Sequence, residues 1–130
     1  MRTIKKRTLK PFLFACLSLT VVTIAFANAP FSVASPPGKP EAINIWGDRC
    51  TLQYLPPISN GGSPVTGFII EGMNIQNGRW GVKGSSQALF YYFNYGIRGA
   101  TYKFRVFAEN AAGLSKPSLN SNPITFSDPY

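Results

Sequence analysis

Residues 102–118 read Y-K-F-R-V-F-A-E-N-A-A-G-L-S-K-P-S, and the fold is decided there. Tyr102, Phe104, Val106 and Ala108 alternate with Lys103, Arg105 and Glu109, the two-residue period of a strand that buries one face. The run ends at residues 110–113, N-A-A-G, whose Asn and Gly supply turn chemistry.

Working outward from this strand, the same punctuation recurs. Strands are predicted over residues 42–46, over 50–55 with Leu52 and Tyr54 inward, and over 65–71 with Phe68 and Ile70 inward. A short strand begins at Trp80, another covers 87–94 with Leu89, Tyr91 and Phe93 inward, and the last covers 123–126. Gly, Pro and Asn cut the chain between them, most clearly at N-G-G-S-P over 60–64. Seven short strands at this spacing predict an all-β, immunoglobulin-like two-sheet sandwich.

The chain of 130 residues is one domain's worth, and its formal charge of +8 raises the question of nucleic acid. Five of the thirteen basic residues, Arg2, Lys5, Lys6, Arg7 and Lys10, crowd the first ten positions. The other eight are scattered against five acidic residues, with no basic stripe or recognition motif. Nucleic-acid binding is therefore not expected. Cys50 has no second cysteine within the domain, since Cys16 lies far upstream in an apolar segment, so a buried, inert thiol is the reading.

Residues 1–27 join a basic start to an uncharged apolar run ending A-F-A, the pattern of a secretory signal peptide cut before Asn28. The run is also near the lower limit for an uncleaved signal anchor, the single route by which this chain would enter a membrane. The third reading is that the leader is an artefact of gene prediction. Residues 28–40, rich in Pro and containing S-P-P-G-K-P, are read as a stiff linker, residues 41–127 as the domain, and 128–130 as the start of a following linker.

Five landmarks in register over residues 36–130 resemble a fibronectin type III domain of the kind found in the giant muscle proteins titin and twitchin. They are P-P-G-K-P, L-Q-Y-L-P-P, N-G-G-S-P-V with G-F-I-I-E, Trp80, and the 102–118 stretch. The resemblance implies the sandwich already inferred. It also implies a bead from a string, because Pro30-Phe31 and Pro129-Tyr130 match the seams between successive domains. Three positions depart from the pattern. Tyr54 replaces a core Trp and needs a partner for its hydroxyl. Gly96 replaces a Leu that plugs the corner before Tyr102, so Tyr95 or Ile97 must fill the space or a void remains. The leader has no counterpart in the intracellular muscle giants.

Without a single His, nucleophile triads and histidine metal sites are excluded. Glu71 and Glu109 read as solvated charges at strand ends, and the Gly pairs read as turns without phosphate-cradling context. No enzyme, cofactor or metal is expected. The residues that stand out are Phe90 and Tyr92, on the face opposite Tyr91 and Phe93. Either they pack beneath loops or basic stems such as Arg98, or they form an outward patch and are the candidate protein-contact residues, for a partner or a neighbouring domain. Two functions follow from different classes: a scaffold or spacer bead without chemistry, and an exported adhesion or receptor module binding a protein ligand.

Overall fold

The computed structural model describes residues 31–127. The leader readings for 1–27, the residues beside it up to 30, and the linker at 128–130 lie outside the described residues. Eight strands form two antiparallel sheets: β1 (Glu41–Trp46), β2 (Arg49–Gln53), β3 (Gly67–Asn74), β4 (Arg79–Ser86), β5 (Phe90–Phe93), β6 (Thr101–Asn110), β7 (Gly113–Leu114) and β8 (Ile124–Thr125). One sheet has the order β1-β2-β5, and the other runs β4-β3-β6-β7 with β8 also on β6.

The long pair β3–β6 is the spine, in register from Gly67 opposite Glu109 to Asn74 opposite Tyr102. Its even-numbered residues point into the sandwich, and Ile70, Phe104, Val106 and Ala108 are fully buried. Leu52 and Phe93 come down from the three-stranded sheet to meet them. Phe93 is the hub, its ring centroid 5.0 Å from Phe104, 5.6 Å from Phe126 and 5.7 Å from Tyr102. Edge-on and tilted contacts of this kind add about 0.5–1.5 kcal/mol each beyond the area they bury.

The predicted sandwich is present, but its last strand is built differently. Regular pairing on the far side of β6 is confined to β7 and β8. Between them Ser115, Ser118 and Ser121 advance in steps of three against Ala108, Val106 and Phe104, which step by two. Each serine N–H donates to the carbonyl opposite, at 2.8 Å. Its Oγ accepts the N–H of that same residue, at 2.9 Å. The hydroxyls then donate to the carbonyls of Lys116, Leu119 and Asn122. A side chain thus replaces one backbone group at every step, and the count of eight strands instead of seven records this interruption.

Residues 31–40, within the span read as a linker, are bonded to the sandwich. Ser32 N donates to Gly61 O, Ser35 N to Ser59 O and Gly38 N to Leu55 O. Ala34, Pro37 and Pro40 are buried. Gly61 has φ +75°, and a Cβ there would collide with the Ser32 carbonyl, so the strap can lie this close against glycine alone. Asn110, buried at the end of β6, donates from Nδ2 to Ser32 O and Asn60 O, both at 2.8 Å, and accepts Ala112 N–H at 2.9 Å.

The space opposite Gly96 is filled from a distance. Tyr95 and Ile97 are exposed, which overturns the expectation that one of them plugs the corner. A Cβ on Gly96 would instead lie 2.9 Å from the ring of Phe126, a fully buried side chain. The Tyr54 hydroxyl has the partner it needs, donating to Ala88 O at 2.8 Å.

Candidate functional site

The residues of β5 decide what the three-stranded sheet shows to its surroundings. Alternation sends Phe93 into the core, leaves Tyr91 half-buried with its hydroxyl donating to Lys83 O at 2.7 Å, and turns Phe90 and Tyr92 outward. Phe90 is 41% and Tyr92 62% exposed, and their rings lie against each other at 5.2 Å. Pairing with β2 and β1 sets Tyr92 in a row with Thr51 and Ile43, and Phe90 in a row with Gln53 and Glu41. The Phe90 side borders an open groove of about 520 Å³ lined by Lys39, Glu41, Gln53, Leu55 and Leu89.

Leu89 is 42% exposed, so its inward placement is corrected. β5 starts at Phe90 and not at residue 87. Ser86 holds the preceding bend, its Oγ accepting Ala88 N–H at 3.0 Å and donating to Phe90 O at 2.8 Å. Leu89 O accepts the Tyr54 N–H. The pleat begins after that bend, and Leu89 therefore does not follow the alternation of Tyr91 and Phe93.

The opposite, five-stranded sheet carries a second constellation that pattern reading missed. Glu71 is not a solvated end charge, because β3 runs on to Asn74 and places it mid-sheet, opposite Arg105. Arg105 Nη2 and Nε reach Glu71 Oε1 at 2.7 and 2.8 Å. The guanidinium sits 4.2 Å from the Trp80 ring and 5.5 Å from that of Phe107. The odd-numbered alternation of Arg105 and Phe107 was the available signal, but register between strands is what unites them with Trp80 and Glu71. Glu109 is exposed, in keeping with a solvated charge.

Cys50 is buried, and burial pushes its thiol up to about 11, far from reactive thiolate chemistry. Among the described residues no three His, Cys, Asp or Glu side chains cluster as metal ligands. What these surfaces offer chemically is contact: apolar rings, a held ion pair and hydrogen-bonding groups at their borders.

The comparisons agree with this architecture. The model of the fibronectin type III domain matches residues 35–124. Cardiac-type myosin-binding protein C is 38% identical over 94 residues in Gallus gallus, covering 71% of this chain and 7% of that protein. In Homo sapiens it is 37% identical over 110 residues, covering 83% and 8%. The chain therefore spans less than a tenth of the length of these relatives. Titin domains A168–A170 superpose with a TM-score of 0.72 at 33% identity, over 74% of this chain and 33% of that one. Human titin module A71 superposes at 0.64 and 38% identity, over 72% and 92%. The Caenorhabditis elegans twitchin kinase region gives 0.72 at 31% identity, over 75% and 17%. On this match and on the two-sheet topology, the chain belongs to the fibronectin type III family.

Proposed function

We propose that this domain is a non-enzymatic scaffold or spacer bead of titin and twitchin type that holds a protein partner or neighbouring domain against its three-stranded sheet through Phe90 and Tyr92. The observation that carries the reading is this aromatic pair standing exposed on a fold of this family. Aromatic side chains are the usual anchors of protein contacts, because they add large contact area for few rotatable bonds.

The name of the relatives makes myosin the first partner to test. Co-sedimentation with myosin filaments is expected to retain the full chain. The double variant Phe90→Ser/Tyr92→Ser should bind roughly tenfold more weakly while unfolding at the same denaturant concentration. Failure of the unaltered chain to bind removes myosin as partner. A double variant with no stable folded monomer overturns the assignment of these residues to contact.

The second reading, an exported or membrane-anchored module binding a protein ligand, rests on the sequence of residues 1–27. Amino-terminal sequencing after expression in a secretory cell separates the two. A start at Asn28 supports export, and retention in the cytosol supports the intracellular scaffold.

A further inference from the structure

The outward face of the five-stranded sheet departs from what a solvated sheet face carries. Alternation should leave it polar, yet register aligns Trp80 with Met73 and Lys103, and Val82 with Glu71 and Arg105, with Phe107 beyond. Val82 is 66% exposed. Arg105 is fixed before any partner arrives: both of its bonded nitrogens converge on one oxygen of Glu71, and Trp80 and Phe107 hold the guanidinium. The Arg105–Glu71 pair cancels its own charge. Lys103 on this face has no acidic partner among the described residues, so the Trp80 end carries an unpaired positive charge.

We propose that this face is a docking surface for an extended acidic segment of a partner protein, with large apolar side chains between its carboxylates. Those apolar side chains rest on Trp80 and Val82, and a carboxylate meets Lys103. Charge complementarity selects an acidic occupant, and the rigid Trp80–Arg105–Phe107 stack lowers the ordering cost of binding it. The proposal rests on reading the domain as a protein-binding module, but it uses the sheet opposite Phe90 and Tyr92.

The test is titration of the isotope-labelled full chain with a short synthetic peptide alternating aspartate with leucine and phenylalanine, followed by NMR. A peptide with lysine in place of aspartate is the control. The Trp80 indole and Arg105 side-chain signals are expected to shift, with binding weakened as salt screens the charges. Lys103→Glu and Val82→Ser, both on the surface, should each weaken binding, the charge reversal roughly tenfold. The Phe90→Ser/Tyr92→Ser variant should bind the peptide as the unaltered chain does, so that failure of the myosin experiment and failure of this one are separate results. No binding at millimolar peptide, equal binding of the lysine peptide, shifts centred on Phe90 and Tyr92, or peptide-independent self-association through Trp80 would each overturn the proposal.

Discussion

Cys50 shows how one buried atom makes the stability of the domain depend on pH. The folded chain holds the thiol proton up to about pH 11, whereas an unburied thiol releases it near 9.0. Well below pH 9 both states are protonated and the thiol contributes no pH dependence. Between about pH 9 and 11 the unfolded chain loses the proton first, so stability falls on the order of 2–3 kcal/mol across that window. Chemical denaturation as a function of pH should show this fall, and Cys50→Ala should flatten it. A residual slope is expected from Tyr54, whose hydroxyl is also raised by burial. Tyr54→Phe removes the bond to Ala88 O and should cost about 1 kcal/mol at neutral pH. Both residues were legible in the sequence: a lone Cys beside Leu52 in a strand, and a Tyr in a core position that demanded a partner. Gly96 was not. Its space is filled by Phe126, thirty residues onward, and sequence adjacency carries no record of what lies opposite after the chain has folded back.

At the scale of the element, the strands with strict alternation were readable, and the ones that change rule were not. β6 and the inward faces of β2 and β3 follow from a period of two. The stretch between β7 and β8 carries a period of three in Ser115, Ser118 and Ser121, visible in the sequence but meaningless until β6 lies alongside. Its effect is to close the β6 edge to foreign strands without a regular strand. Ser118→Ala would strand the buried Val106 N–H and should cost about 1–3 kcal/mol in denaturant unfolding, with faster hydrogen exchange at Val106. Other edges are guarded by different means. β1 is bent where Asn44 takes φ +52°, and the Phe90 carbonyl of β5 is occupied by Ser86. The candidate contact pair was half legible: Phe90 and Tyr92 turn outward as the alternation requires, but the bend at residues 87–89 that exposes Leu89 beside them depends on the Ser86 hydroxyl.

For the molecule as a whole, the two ends of the described chain leave at opposite poles of β6. Ser32 is tied to Gly61 and Asn110 at one end, while Gly47 N–H donates to Ser127 O and Gly99 N–H to Phe126 O at the other. Ten residues of β6 separate these poles by roughly 30 Å. Gly61→Ala should dislodge the strap without dissolving the sandwich. The expected signs are rapid hydrogen exchange at Ser32 and Ser35 with near-native protection in β3 and β6, and a stability loss of about 1–3 kcal/mol.

The amide of Asn110 gives this arrangement a mechanical meaning. A pull applied ahead of Ser32 would meet that side chain at the far tip of the longest strand, together with the strap's bonds to Gly61 and Ser59, before it reached β1. The carboxamide would share that load with the strap's own backbone bonds, and together they would set how readily the domain unravels from this margin.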